Sequence, residues 1–198
     1  MELFTLFPQT VCKVKLENHQ RIKETFANDL INKYKSNPNH KFEWAAYCDS
    51  WQEDANPYMG ELSAEFVPHI NTWLQTFKFS DFNYIIDSWF NVHTSNMYQE
   101  SHCHMDGPVV LCGVYYMQLS KKDKPVVFTA PTEMYLSHIG NLGLKSSHPF
   151  FSYYSTDSLS IEEGDLLLFT PDNKHFVPRS SVKHDGYRIS LSFNVRKE

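Results

Sequence analysis

The stretch Tyr187 to Val195 constrains the fold most. Its apolar residues Ile189, Leu191, Phe193 and Val195 alternate with Arg188, Ser190, Ser192 and Asn194. Successive side chains of a strand point to opposite faces. The stretch therefore predicts a strand with one face in a core and the other on solvent or a polar pocket. A strand needs neighbours, and the sequence supplies them from residue 82 onward. Phe82 to His93 and Val109 to Leu119 are aromatic and β-branched, and Val126 to Thr129 is a shorter run. Ser158 to Ile161 and Leu166 to Thr170 flank Glu162-Glu163-Gly164-Asp165, which predicts a hairpin-like connection. Lys121-Lys122-Asp123-Lys124 reads as a charged, solvated turn, and His184-Asp185-Gly186 as a turn launching the last strand.

The first third has helical spacing. Asn18 can cap a helix in which Ile22, Phe26, Leu30, Ile31 and Tyr34 share a face, ended by Lys35-Ser36-Asn37-Pro38-Asn39. After Ser63 a second face comprises Phe66, Ile70, Trp73, Leu74 and Phe77. Cys48 to Pro57 reads as a polar loop, and Pro131 to Ser158 as irregular. The expectation is one mainly β domain spanning 1–198. Residues 1–81 form a mostly helical buttress, and 82–198 a sandwich or open barrel with the helices packed on one side.

A net charge of −5 and a pI near 6.0 argue against nucleic acid as the main partner. No apolar run approaches the roughly 20 residues of a membrane span. Glu2 stands where a signal peptide wants positive charge. The four cysteines form no C-x-x-C pair. A reduced, cytoplasmic location is expected, with no membrane partner. The sequence is silent on oligomeric state.

Ten histidines are many for 198 residues. They are most concentrated at His102-Cys103-His104-Met105-Asp106. In an extended chain His102, His104 and Asp106 share a face and Cys103 points away. His104 and Asp106 can give one ion a nitrogen and an oxygen. His175, just past the apolar run Leu166 to Thr170, is the best third ligand. Two histidines and a carboxylate leave open positions that suit non-haem Fe(II). Arg188 can fork onto a carboxylate, and Ser190 can add a hydrogen bond.

In order, these residues resemble the Fe(II)/2-oxoglutarate-dependent oxygenases, and more narrowly the 2-oxoglutarate oxygenases of phages and marine bacteria. The resemblance is carried by Leu6-Phe7-Pro8, Trp89-Phe90-Asn91, His104-Met105-Asp106, Cys112-Gly113-Val114-Tyr115-Tyr116 and Gly164-Asp165-Leu166-Leu167-Leu168-Phe169. His175 and Arg188-Ile189-Ser190-Leu191-Ser192-Phe193-Asn194 complete it. The narrower group often has His-x-His where this chain has His104-Met105-Asp106.

The resemblance implies a double-stranded β-helix, or jelly-roll, core with a prolyl-hydroxylase-like barrel. It implies Fe(II) on His104, Asp106 and His175, with 2-oxoglutarate and dioxygen as co-substrates and ascorbate as an in vitro aid. The far carboxylate of 2-oxoglutarate would meet Arg188 and Ser190. Tyr116 would reach it too, or Tyr115 if Gly107-Pro108 shifts the register, with Asn91 a further pocket residue. The reaction would be hydroxylation of a peptide, protein or small-molecule substrate, in a host cytoplasm if the chain is phage-encoded.

Other readings stay open. A cupin-like binding module would hold metal without catalysis. A zinc site would use His102, His104 and His175, with water as fourth ligand, but would leave Asp106 without a role. His102 is otherwise expected beside the metal or on the substrate side. His93, His148 and His184 are expected at the surface or in turns.

Overall fold

A computed structural model of the chain describes residues 2, 9–42, 49–145, 154 and 159–198. Leu6-Phe7-Pro8, Cys48, His148 and Ser158 lie outside them. Among the described residues, nine strands and three helices follow in the order β1 (Val11–Lys15), α1 (His19–Ser36), β2 (Trp51–Asp54), α2 (Met59–Thr76), β3 (Tyr84–His93), β4 (Gln99–His102), β5 (Val109–Gln118), β6 (Val127–Phe128), α3 (Glu133–Asn141), β7 (Asp165–Phe169), β8 (His175–Val177) and β9 (Arg188–Lys197).

Two sheets result. The larger has the order β1-β7-β5-β9-β3-β2, and the smaller β4-β8-β6. The last strand is central, as its two-faced pattern requires. It pairs antiparallel with β3 over its whole length and with β5 on its other side. Ile189, Leu191, Phe193 and Val195 enter the main core with Ile22 and Leu30 of α1 and Leu62, Phe66, Ile70 and Trp73 of α2. Odd-numbered residues of β5 and even-numbered ones of β3 join the same side, through Leu111, Tyr115, Met117, Phe90 and Val92. The helices thus cover one face of the large sheet. The opposite face meets the small sheet over a second core of Cys112, Tyr116, Val126, Phe128, Leu167 and Phe169.

Four local expectations need correction. Trp51–Asp54 is a strand within the expected polar loop, because Trp51 is buried and β2 completes the edge beside β3. Pro131 to Ser158 contains α3. Helix α2 begins at Met59, after a 3-10 turn at Asn56–Tyr58, and not after Ser63. Among the described residues, Leu159 to Ile161 form no hairpin with β7. That strand is buried at every position and is flanked by β1 and β5. Gly164, at φ +89°, turns the chain into β7, and its N–H donates to the Tyr116 carbonyl at 2.8 Å. Strands β1 and β2, both from the first 81 residues, thus form the two edges of the large sheet.

Candidate metal and co-substrate site

Three histidines converge between the sheets. Ligand atoms of His102, His104 and His175 all lie within 4.8 Å of one another. His102 ends β4 and His175 opens β8, and the two are register partners. His104 follows in an extended segment pinned by its own N–H to the Pro171 carbonyl at 2.8 Å. The ring centroids of His104 and His175 are 5.3 Å apart and nearly parallel.

Backbone carbonyls orient two of the rings. His102 Nδ1 lies 2.8 Å from the Glu100 carbonyl, and His175 Nδ1 lies 2.7 Å from the Asn173 carbonyl. Donation from Nδ1 leaves each Nε2 with the lone pair that a metal needs, and at His102 the Gln99 amide nitrogen lies 3.5 Å from it. Burial, reinforced by His102, lowers His104 to about 4 and His175 to about 3. Both rings are neutral at pH 7, the state that coordinates an ion.

His104 and His175 come together as the sequence predicts, but Asp106 does not join them. The converging group contains His102 in its place, and Asp106 is exposed. The extended parity that aligns His102 with His104 stops at a bend over residues 106–108, where Gly107 takes φ +80°. The side chain at 106 therefore leaves the face that the two histidines share.

The second half of the site lies on the large sheet. A small cavity of about 30 Å³ is lined by the three histidines and by Asn91, Tyr116, Arg188 and Ser190. Arg188 is 2% exposed. Its Nη1 donates to the carbonyls of Lys124 and Pro178. Its Nε and Nη2 are buried with no partner among the described residues. These two nitrogens form the side of the guanidinium that grips a carboxylate with two parallel bonds. Burial lowers Arg188 to about 10, opposed by Tyr116 and Asp123, so it remains a cation at pH 7. A buried cation with an unpaired fork fits an anionic ligand, and three convergent imidazoles fit a transition metal.

Tyr116 lies across from Ser190 in the β5–β9 register. Its hydroxyl accepts the Val126 N–H at 2.8 Å and keeps its own proton to donate, since burial pushes its pKa up to about 12. Tyr115 points the other way, into the helix-side core, with its hydroxyl 2.7 Å from His19 Nδ1. Asn91 donates to Ser192 Oγ at 3.0 Å and accepts from Gln52 at 3.2 Å.

Sequence reasoning missed His93. It is 2% exposed and lines the cavity, not the surface. It shares the parity of Asn91, and that alternation was the available signal. His184 lies in a region of bends, with its Nε2 2.9 Å from the buried Asp123 carboxylate. Asp123 thus turns inward from the expected solvated turn. Cys103 is exposed, Cys112 is buried, and both are free thiols.

Beside His104 a groove of about 470 Å³ opens between Trp89, Asp54, Asn56, Asp87, Ser88, Asn194 and Phe42. No described helix is long and apolar enough to cross a membrane.

Comparison with known proteins agrees with this geometry. The structure resembles a Pseudomonas putida prolyl-4-hydroxylase at TM-score 0.62 and 10% identity, covering 96% of this chain and 94% of that one. It resembles HygX from Streptomyces hygroscopicus, solved with nickel and 2-oxoglutarate, at 0.58 and 11%, covering 96% and 83%. It also resembles the viral collagen prolyl hydroxylase of Paramecium Bursaria Chlorella virus-1 at 0.56 and 15%, covering 95% and 96%. At these identities the likeness shows the shared double-stranded β-helix fold. No curated protein sequence matches significantly. Residues 87–194 match the family described as "Putative 2OG-Fe(II) oxygenase", a span that takes in all three converging histidines and Arg188. The chain therefore belongs to the 2OG-Fe(II) oxygenases, oxidoreductases that use iron, 2-oxoglutarate and dioxygen.

Proposed function

We propose that this oxygenase holds Fe(II) on His102, His104 and His175. In this reading it anchors the far carboxylate of 2-oxoglutarate on Arg188, with Ser190 and Tyr116 as hydrogen-bond partners, and hydroxylates a substrate lying in the groove over Trp89. The observation that carries the reading is the unpaired fork of Arg188, a residue that lines one cavity with three convergent imidazoles.

When bound, iron and 2-oxoglutarate supply the oxidising chemistry, in which the keto acid becomes succinate and carbon dioxide and one oxygen atom of dioxygen enters a C–H bond. The chain's own contribution is placement. Lys124 and Pro178 hold Nη1 so that the Arg188 fork faces the cavity. Phe128 and Phe169 pack on His175, with ring centroids 5.8 and 5.0 Å away, and exclude water from its inner side. His104 lines both the cavity and the outer groove, so a substrate in the groove lies beside the ion. An open groove suits an extended chain, and the fold shared with prolyl hydroxylases makes a prolyl peptide the first substrate to try. Asn91, hydrogen-bonded to Gln52 and Ser192, serves as a wall of the co-substrate pocket.

The test is release of succinate from 2-oxoglutarate by protein loaded with Fe(II), with ascorbate present, with and without prolyl peptides. Turnover that disappears in His175→Ala is expected. Absence of both coupled and uncoupled turnover in iron-loaded protein would sink the reading. Three imidazoles also suit zinc with a bound water, which makes a zinc hydrolytic centre the second reading. Metal analysis after anaerobic purification separates the two.

A further inference from the structure

Antiparallel pairing of β3 with β9 sets His93 directly opposite Arg188. Both residues are 2% exposed, and both line the cavity. His93 Nε2 lies 2.7 Å from Ser50 Oγ, and Ser50 is itself buried. The other ring nitrogen, Nδ1, is buried with no partner among the described residues. These two cavity-lining residues therefore carry three buried polar atoms with no partner among the described residues, Nε and Nη2 of Arg188 and Nδ1 of His93.

A buried polar atom left unpaired costs on the order of 1–3 kcal/mol. Three of them around one cavity indicate a ligand that satisfies all three. Burial, and next the Arg188 charge, hold His93 well below its ordinary value, so the ring carries a single proton. Two tautomers are then available. With the proton on Nε2, the ring donates to Ser50 and Nδ1 is a bare acceptor. With the proton on Nδ1, the Ser50 hydroxyl donates to Nε2, and Nδ1–H becomes a donor like the guanidinium fork beside it. An anion on Arg188 selects the second arrangement.

We propose that His93, held by Ser50 in its Nδ1–H form, is a further binding residue for the far carboxylate of 2-oxoglutarate, and that with Arg188 it selects five-carbon dicarboxylic keto acids. This rests on the co-substrate reading above. Ser50 acts through His93 and is a positioning residue.

Binding can be read without turnover, on protein loaded with redox-inert Zn(II). Oxalate serves as the comparison ligand, because it chelates a metal through two adjacent oxygens but has no far carboxylate. His93→Phe is expected to weaken 2-oxoglutarate by about 10- to 100-fold, the scale of one hydrogen bond to a charged group. Oxalate affinity should stay within about twofold of wild type. His93→Asn, whose amide N–H can replace Nδ1–H, should recover part of the loss, and Ser50→Ala should lie between. In wild-type protein the His93 Nδ1 nitrogen resonance should move on adding 2-oxoglutarate and not on adding oxalate, a readout that needs no variant to fold.

Equal 2-oxoglutarate affinity in wild type and His93→Phe would overturn the role of His93 alone. So would an equal loss for oxalate, which would mark a merely structural residue, or an unmoved Nδ1 resonance. Failure of wild-type protein to bind 2-oxoglutarate would remove the co-substrate reading as well.

Discussion

His102 and His175 face each other as register partners of β4 and β8, with ring centroids 4.4 Å apart. The pairing makes the metal pocket a property of strand register, since backbone pairing brings the two rings together. Each ring brings one nitrogen to the shared pocket, and that fixes where the protein is sensitive.

Replacing a direct ligand should be far more damaging than replacing Asp106. His102→Ala, His104→Ala and His175→Ala are each expected to lower metal affinity by more than about 100-fold, beyond the effect of removing a ligand's hydrogen-bond partner. Asp106→Ala should stay within about threefold of wild type. Competition against a chelating dye measures this, and a large loss in Asp106→Ala would restore the carboxylate as a ligand.

Arg188 couples binding to stability with opposite sign. An uncompensated buried cation is costly, and the fork of Arg188 is unpaired. Arg188→Met keeps the volume and removes the charge. The ligand-free variant is expected to melt at or above the wild-type temperature, while 2-oxoglutarate affinity falls by at least about 30-fold. Arg188→Lys keeps a charge but loses the fork, and should bind only partly. Calorimetric melts with and without 2-oxoglutarate check both halves.

The metal-free protein should lose stability in mild acid. His104 and His175 titrate at about 4 and about 3 when folded, below the ordinary 6.5. Between about pH 6.5 and pH 4 the unfolded chain takes up protons that the folded one refuses, so stability rises with pH across that window and levels off above it. Urea midpoints should fall as pH drops from 6.5 to 4. His175→Leu should flatten that slope, and a saturating metal should raise the midpoints at pH 5.

Gly113 is a packing constraint on the same wall. A Cβ there would lie 2.1 Å from the Phe193 ring. That ring is 1% exposed and rests on Phe66 at 5.4 Å, so it has nowhere to move. Gly113→Ala is expected to cost about 1–3 kcal/mol by overpacking, read as a lower urea midpoint with an unchanged slope.

The alternation in β9 made both its core face and its cavity face legible, while the choice between Tyr116 and Tyr115 depended on the register of β5, which puts Tyr116 on the cavity side and Tyr115 in the helix-side core. Parity failed where the backbone stops being extended. His102 and His104 keep it, but the chain bends from Asp106 onward, and Asp106 is exposed. His93 had the right parity, but nothing local to it announces Arg188, which is 95 residues away in sequence and beside it only through the β3–β9 register. Strands β1, β2 and β8 are short, and their pairing partners are remote. Their existence depends on edges that only the assembled sheet provides.

The two halves of the site stand on different sheets. His102 and His175 stand on β4 and β8, and His93, Tyr116 and Arg188 on β3, β5 and β9. A small molecule held at both ends is therefore a rivet through two leaves. The small leaf is the weaker one, since β4 meets β8 across a bulge and β6 contributes only two residues. Fastening should act there first. Amide hydrogens of β4 and β8 should exchange more slowly once metal and 2-oxoglutarate are both bound, while those of β5 and β9, already locked in the large sheet, barely respond.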